Sequence, residues 1–349
     1  MRIVCLGGGP AGLYFALLMK KRFPQATLRV IERNRPDDTF GWGVVFSDET
    51  LGTFEQADPE SYRRIQEGFR SWRDIETWYR DTCVRSTGHG FAALSRKVLL
   101  EILQRRCREV GVELVFEREV RSVEPWREWD LVVGSDGVNS TVRTELADVF
   151  RPTLDWRECK FCWLGTDKEL EAFTFIFRES EHGLFQVHAY PFAEGLGTWI
   201  VECREEVWRA AGLDRASEED TVAYCEELFA SELDGHRLLT NRSLWRTFPT
   251  VRCESWVHEN VVLLGDAAHT AHFSIGSGTK LAMEDAVALA EAFTAVGLER
   301  REEALERYVE ARWVDVAKLQ KAAQTGLEWF DPPHQYLDQA RYVSSPSTC

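Results

Sequence analysis

The chain has 349 residues, and 57 acidic against 42 basic side chains give it a formal charge of −15 at pH 7. A composition that is 44% hydrophobic and 28% charged excludes an intrinsically disordered chain, and the length suggests two connected domains. The acidic balance argues against nucleic acid or an anionic membrane as the main partner, because both require a basic surface. No apolar run approaches the ~18 residues of a membrane span, so we predict no membrane insertion.

The N-terminus and the cysteines indicate a cytoplasmic protein. Residues 1–6 lead directly into a glycine cluster without the features of a signal peptide, and nine cysteines, an odd number, favour reduced thiols. Cys159 and Cys162 have the spacing of half a zinc site, but no second Cys or His pair with metal-ligand spacing is evident. We therefore predict core cysteines there and no metal site.

The first forty residues contain a strand, a Gly-x-Gly-x-x-Gly turn, a helix and a second strand that closes at Glu32. Gly7 permits the tight turn, Gly9 lets backbone amides approach a pyrophosphate, and Gly12 allows close helix–strand packing. The helix N-terminus attracts phosphate, and Glu32 would accept hydrogen bonds from a ribose. The pattern predicts a dinucleotide site without choosing between NAD and FAD; a tight turn without ligand is the alternative. The candidate cofactor residues here are Gly7, Gly9, Pro10, Ala11, Gly12, Glu32 and Arg33.

Residues 129–143 predict another buried strand that ends in Asp136-Gly137 before a helix. From about Arg151 the pattern changes to period 2, with Phe173, Phe175 and Phe177 on one strand face. This alternation predicts an antiparallel sheet in a second domain inserted over residues 151–250.

The chain then returns to the first domain. A strand over residues 261–264 ends in Gly265-Asp266, and a glycine turn at Gly276 and Gly278 opens a long helix. A mixed-charge helix is predicted from Arg301 to Gly326. The fold class is therefore mixed α/β: a doubly wound cofactor-binding domain, formed by residues 1–150 and 251–349, with the antiparallel substrate domain between them.

The Gly7–Gly12 turn, Asp136-Gly137 and Gly265-Asp266, in this order and spacing, resemble the fingerprints of the group A single-component FAD aromatic hydroxylases, which share the para-hydroxybenzoate hydroxylase-like fold. Further segments are similar to the subgroup that hydroxylates aryl-CoA thioesters such as salicylyl-CoA. These segments are residues 41–47, 86–91, 163–168, 185–190 and 269–280.

The resemblance implies FAD as cofactor and assigns roles to matching positions. Asp266 would bind the ribityl chain, and Gly276, Gly278 and Thr279 would lie beside the flavin pyrimidine ring. Asp136 would stand where pyrophosphate and NAD(P)H meet, Arg96 would contact the FAD phosphates, and Val120, ending a strand from Val112, would touch adenine. The chain departs from the family at His272-Phe273, where two prolines are usual, and at Lys280, where Asn is usual.

The same resemblance suggests substrate-side residues. One sheet face looks at the flavin, which makes Gln186, His188 and Tyr190 candidates, although a solvated polar strand has the same pattern. His272, Phe273 and His89 are further candidates, with His272 or His188 as the catalytic base. Five arginines after residue 60 are candidates for CoA phosphates, with charged helix faces as the alternative; they are Arg63, Arg64, Arg70, Arg73 and Arg80.

The implied activity is that of an FAD-dependent monooxygenase that consumes NADH or NADPH. It would activate O₂ as a C4a-hydroperoxyflavin and hydroxylate an aryl thioester such as salicylyl-CoA at ring position 5. The alternatives are a tailoring hydroxylase of an indole or carrier-tethered aromatic, a non-catalytic flavin-binding sensor, and a dehydrogenase without oxygen chemistry. Because no second flavin domain is expected after the last helix, the product should keep its aromatic ring.

Overall fold

The computed structural model describes residues 1–80, 82–156, 158–271 and 278–330, with side chains for these residues except 48–50 and 324–330. Strands and helices below are those of the described residues. The strands are β1 (Arg2–Leu6), β2 (Thr27–Ile31), β3 (Gly43–Ser47), β4 (Arg70–Trp72), β5 (Ile75–Tyr79), β6 (Thr82–Ser86), β7 (Phe91–Ser95), β8 (Glu113–Val115), β9 (Leu131–Gly134), β10 (Pro152–Trp156), β11 (Cys159–Thr166), β12 (Phe173–Ser180), β13 (Gly183–Ala193), β14 (Leu196–Arg204), β15 (Leu238–Leu239), β16 (Pro249–Cys253), β17 (Val257–His258) and β18 (Val261–Leu263). The α-helices are α1 (Pro10–Arg22), α2 (Asp48–Ala57), α3 (Pro59–Glu67), α4 (Arg96–Val110), α5 (Thr141–Glu145), α6 (Ala147–Phe150), α7 (Glu205–Ala210), α8 (Glu218–Leu228), α9 (Ala230–Leu233), α10 (Gly278–Val296) and α11 (Arg301–Phe330).

A largely parallel sheet forms the centre of the first layer. Its strand order is β17-β18-β9-β1-β2-β8, and only β17 runs antiparallel to its neighbour. β1 and β9 are continuous apolar runs because both of their faces are covered. Helix α1 packs between α4 and α10, and its residues from Pro10 to Met19 are all buried. The predicted strand–turn–helix–strand unit is confirmed.

A second, seven-stranded sheet has the order β15-β11-β14-β13-β12-β5-β6 and is antiparallel except where β12 meets β5. Its period-2 pattern sends Phe185, Val187 and Trp199 to one face, where they pack with Cys225 and Phe229 of the helical segment after β14. The predicted antiparallel sheet and the mixed α/β class are thus confirmed. Two of its strands, β5 and β6, come from before residue 150.

A small antiparallel sheet, β3-β7-β4, covers part of the other face of the seven-stranded sheet. In the contact, Trp72 of β4 stacks on Tyr190 of β13, and Phe173 of β12 also stacks on Tyr190. This junction joins the layer of the glycine turn to the layer of the substrate candidates.

The strand expected to run from Val112 to Val120 is shorter than predicted. It ends at Val115, opposite Ile31 of β2, because Glu117 has a φ of +56° that interrupts the extended backbone. Val120 therefore lies in an irregular segment, half-buried against the core, rather than at a strand end.

The eight described cysteines are all free. Among the residues that the structure describes, no group of three or more His, Cys, Asp or Glu side chains is arranged to hold a metal ion. Within the same residues, no helix combines the length and the apolar character that crossing a membrane requires.

Candidate cofactor and substrate site

The glycine turn between β1 and α1 is shaped by two close approaches. Gly7 has φ +112°, and a Cβ built on it would lie 2.2 Å from the carbonyl oxygen of Ser135, which follows β9. A Cβ on Gly12 would lie 2.3 Å from the Gly7 carbonyl oxygen. By contrast, a Cβ on Gly9 would meet no atom of the described residues within 4 Å. The open side of the turn is therefore at Gly9, at the N-terminus of α1, where Pro10 and Ala11 form the first helical residues.

Glu32 follows β2 and reaches back to the glycine turn. Its carboxylate accepts a hydrogen bond from the Gly8 amide at 2.8 Å, and its other oxygen accepts from the backbone and side chain of Asn34 at 2.8 and 2.7 Å. The structure thus brings Glu32 to the glycine turn, while the neighbouring Arg33 is exposed.

Asp136 and Arg143 connect the middle motif to the last one. Oδ2 of Asp136 accepts from the amides of Thr141 and Val142, whereas its buried Oδ1 has no hydrogen-bond partner among the described residues. Burial raises the pKa of the Asp136 carboxyl. Arg143, which is 3% exposed, donates to the backbone carbonyls of Asp266 and Ala267 at 3.3 and 3.0 Å.

The Gly265-Asp266 turn follows β18, the neighbour of β9. Gly265 has φ +60°, and Gly265–Ala267 forms a single 3₁₀ turn. A Cβ on Gly278, the first residue of α10, would lie 3.9 Å from Oδ1 of Asp266, so the start of this helix faces the turn. Thr279 is half-buried in the same first turn. Burial raises the pKa of the Asp266 carboxyl, and the charge of Arg96 acts against that rise.

Arg96 begins α4 and lies between the cofactor motifs and the second sheet. Its guanidinium carbon is 4.9 Å from the centre of the Phe40 ring, and its buried Nε has no hydrogen-bond partner in the part of the chain that the structure describes. The Phe40 ring in turn meets Trp163 of β11 edge to face, with 6.5 Å between ring centres. Arg96 is therefore near both the Asp266 carboxyl and an aromatic contact of the sheet.

The substrate candidates of β13 share a face of the seven-stranded sheet with aromatic residues. His188 pairs with Phe175 of β12 and Ile200 of β14, and Ile200 pairs with Trp163 of β11. Directly paired residues lie on the same side of a sheet, so this row faces Phe40. Gln186 lies one step farther along the same face and is half-buried.

His188 and Glu202 form a buried pair on this face. They are 3% and 1% exposed, and His188 Nε2 lies 3.7 Å from Glu202 Oε2. Burial lowers the pKa of His188 from 6.5 to about 4 and raises the pKa of Glu202 from 4.5 to about 8. Both groups are consequently neutral near pH 7, with one transferable proton on the carboxyl.

Tyr190 makes structural contacts. Its hydroxyl group donates to the Gly43 carbonyl at 3.0 Å, and its ring is 5% exposed beneath Trp72. Because Tyr190 and His188 are both buried, the alternative of a solvated polar strand is wrong for them.

His89 lies outside this row. Its ring stacks on Phe91, and its Nε2 is 2.9 Å from the Ser86 hydroxyl group, in the loop between β6 and β7. His272, Phe273 and Gly276 lie outside the described residues.

Most arginines proposed for CoA phosphates already have carboxylate partners. Arg63 and Arg64 pair with Glu60 on α3, Arg70 pairs with Glu194, and Arg80 pairs with Glu179. These ion pairs show that a phosphate group would have to displace protein carboxylates there.

Sequence reasoning missed Arg143 and Glu202. Arg143 stands seven residues after Asp136, at the end of the segment 129–143, and its role depends on a contact with a turn more than a hundred residues away. Glu202 was detectable in principle, because strand alternation places it two residues beyond Ile200 on the face of His188.

These residues fit FAD. The turn has open space at Gly9, which any side chain there would occupy. Among the described residues, Asp136 Oδ1 is an acceptor and Arg96 Nε is a donor without a protein partner. Buried polar atoms without protein partners are uncommon and indicate a ligand or water.

Comparisons with known proteins agree with this arrangement. Residues 128–323, more than half of the chain, match the protein family described as an FAD binding domain. A salicyloyl-CoA 5-hydroxylase of a Streptomyces species is 46% identical over 347 residues, covering 97% of this chain and 66% of that protein. This chain thus spans slightly less than two thirds of the length of that relative.

Two further proteins are matched over a larger share of their own length. The 3-hydroxy-4-methyl-anthranilyl-(aryl-carrier protein) 5-monooxygenase of Streptosporangium sibiricum is 35% identical, over 95% of this chain and 89% of that protein. A crystal structure of 2-methyl-3-hydroxypyridine-5-carboxylic acid oxygenase has the same fold, with a TM-score of 0.77, 20% identity, and coverage of 94% of this chain and 92% of that one. From the family match and these relatives, the chain belongs to the FAD-binding family of flavin-dependent aromatic monooxygenases.

Proposed function

We propose that this protein hydroxylates an electron-rich aromatic acyl thioester, consuming NADH or NADPH and O₂. The observation that carries the proposal is the contact from Arg96 through Phe40 to Trp163, which joins the cofactor motifs to an aromatic sheet face. When bound, FAD would supply the redox chemistry, namely hydride uptake from the nicotinamide and activation of O₂. The protein's own tasks are to bind, to orient and to handle a proton.

The cofactor residues divide between the two ends of FAD. The Gly7–Gly12 turn and Glu32 would hold the adenosine and pyrophosphate, with Arg96 as a cation for the phosphates. Asp266 would accept hydrogen bonds from the ribityl chain, and Gly278 and Thr279 would present the N-terminus of α10 to the flavin ring. A helix N-terminus favours negative charge, which suits a reduced flavin.

The sheet face would bind the aromatic ring. Trp163 and Phe175 stand at the two ends of the row that contains His188, and aromatic side chains of this kind orient a planar ring by stacking or edge contacts. The buried indole Nε1 atoms of Trp42 and Trp163 have no hydrogen-bond partner in the described part of the chain, so they are candidate donors to a substrate carbonyl.

His188 is our proposed proton acceptor. An ortho hydroxyl or amino group activates the ring carbon para to itself, and loss of the hydroxyl proton strengthens that activation. The neutral imidazole of His188 can accept this proton, which leaves an imidazolium cation beside the substrate phenolate. His272 is the other candidate base.

The thioester part of the proposal has two forms. One relative is named for a CoA thioester and the other for an aromatic group on a carrier protein. The carrier-linked form is our second candidate, since the carrier-dependent relative is matched over nearly its whole length. Arg246, which lies 6.0 Å from the Phe40 ring centre, is a candidate phosphate ligand for either arm.

A substrate panel separates these forms. NADH and NADPH oxidation would be followed with salicyloyl-CoA, 2-aminobenzoyl-CoA, the same acyl groups on a carrier protein, their N-acetylcysteamine thioesters and the free acids. We expect a thioester to accelerate oxidation and to yield a product with one atom from ¹⁸O₂ and an intact aromatic ring. Oxidation that no aryl compound stimulates, or an unlabelled product, would contradict the proposal.

A further inference from the structure

The carboxylate of Asp285, in α10, lies directly beneath the Gly265-Asp266 turn. Asp285 is fully buried, and its Oδ2 accepts from the Gly265 amide at 2.9 Å and bonds His269 Nε2 at 2.8 Å. Its Oδ1 accepts from Nε of Arg312 in α11 at 2.8 Å. Burial alone would raise the pKa of Asp285, but His269 and Arg312 hold it below its ordinary value. The carboxylate is thus charged and surrounded by donors.

Helix α11 contributes a stripe of polar contacts to this region. Arg312, 7% exposed, also donates to Glu284 at 3.0 Å. Tyr308 donates to the Leu263 carbonyl at 3.1 Å, and Gln320 donates to the carbonyls of Val251 and Thr270, each at 2.8 Å. The three donors are spaced at multiples of four residues and therefore lie on one side of the helix.

These contacts bracket the turn in the chain. Leu263 lies shortly before Asp266 and Thr270 shortly after it, while the Gly265 amide is fixed by Asp285. On the other side, Arg143 holds the carbonyls of Asp266 and Ala267. Side chains of α5, α10 and α11 therefore hold in place the backbone segment that orients the Asp266 side chain.

We infer that Asp285, Arg312 and Gln320 are positioning residues, through which α11 orients the Gly265-Asp266 turn for FAD. The inference rests on the proposed contact between Asp266 and the ribityl chain. Since the Gly7–Gly12 turn and Glu32 lie on other elements, disturbing α11 should weaken the flavin end of the site and leave the ADP end intact.

The test compares two ligands on apoprotein. FAD affinity would be measured by quenching of flavin fluorescence, and ADP affinity by calorimetric titration. For Arg312→Met and Asp285→Asn we expect the Kd for FAD to rise by about tenfold or more, roughly 1.4 kcal/mol per tenfold, while the Kd for ADP stays within about twofold. Arg307→Met is the matched control, because Arg307 is an exposed residue of the same helix that pairs with Glu303.

If Arg312→Met does not fold, Gln320→Met tests the positioning inference instead, since it removes two hydrogen bonds without leaving a buried charge. It should weaken FAD selectively but by less. An equal loss of FAD and ADP binding, or an unchanged Kd for FAD, would overturn the inference.

Asp266→Asn separates a failure of the proposed ribityl contact from a failure of the positioning inference. If this variant binds FAD as tightly as the parent, the proposed ribityl contact fails and the positioning inference fails with it. If it weakens FAD while the Arg312 and Gln320 variants do not, only the positioning inference is overturned.

Discussion

At the scale of single residues, the buried pair of His188 and Glu202 makes the stability of the protein depend on pH. The folded-state pKa of Glu202, about 8, lies above its ordinary value of 4.5, so the folded protein keeps a proton that the unfolded chain releases. That contribution to stability is complete below pH 4.5 and is lost as the pH rises to about 8. His188, with a pKa lowered from 6.5 to about 4, has the opposite sign: its contribution is complete above pH 6.5 and is lost toward pH 4.

Between pH 4.5 and 6.5 the two residues change the unfolding free energy in opposite directions as the pH rises. From pH 6.5 to 8 only the effect of Glu202 remains. We expect this carboxyl to remove about 2 kcal/mol of unfolding free energy over that upper interval. Glu202→Gln, which keeps the size and polarity of the side chain, should abolish that part of the pH dependence. Denaturant unfolding at pH 6.5 and 8 measures it, with the exposed Glu254→Gln as control; an unchanged pH dependence in Glu202→Gln would contradict the assignment.

At the scale of elements, the first turn was predictable in detail because its contacts are local. The roles of Gly7 and Gly12 follow from spacing alone, and the structure shows the close approaches that require them. The predicted strand to Val120 was wrong because the backbone turns out of the extended region at Glu117, a conformation that the residue pattern does not reveal. Sequence pattern therefore determines which element forms more readily than where it ends.

The two glycines at the ends of this turn should respond differently to the same change. Gly7→Ala places a methyl group 2.2 Å from a backbone oxygen at a positive φ, so we expect a loss of stability on the order of 2 kcal/mol or more. The methyl group of Gly9→Ala meets none of the described residues within 4 Å, and φ there is an ordinary −77°, so the apoprotein should keep its Tm within a few degrees. Its Kd for FAD should rise about tenfold or more, because the methyl group occupies space for pyrophosphate.

Thermal unfolding of the two apoproteins and flavin titration of Gly9→Ala measure these effects. Normal FAD binding by Gly9→Ala would show that the pyrophosphate lies elsewhere.

At the scale of the whole molecule, hydrogen bonds around the start of β3 join the segment 41–43 to the seven-stranded sheet and the segment after it. The Gly43 amide donates to the Thr198 hydroxyl group, the Gly43 carbonyl accepts from Tyr190, and Asn241 donates to the Gly41 carbonyl. These partners are 147 to 200 residues apart, which is why sequence pattern alone placed Tyr190 on a substrate face and did not reveal its partner.

Tyr190→Phe tests the structural role of this hydroxyl group. The variant leaves the Gly43 carbonyl without its donor in a buried setting, and we expect a loss of about 1–2 kcal/mol of unfolding free energy. The KM for the aromatic substrate should stay unchanged, because the hydroxyl group faces the backbone. Denaturant unfolding and steady-state kinetics measure the two effects; a raised KM without loss of stability would return Tyr190 to the substrate site.

The pairing of β18 with β9, and of β9 with β1, has a consequence for biosynthesis. Strand β1, which precedes the glycine turn, is synthesised before strand β18, which precedes Asp266. The two strands are separated by more than two hundred residues of chain. At about 5–20 residues per second, the two halves of the nucleotide cradle are separated by roughly tens of seconds of translation. A nascent chain cannot close its hold on the cofactor during that interval, so flavin capture is a late event in the maturation of this protein.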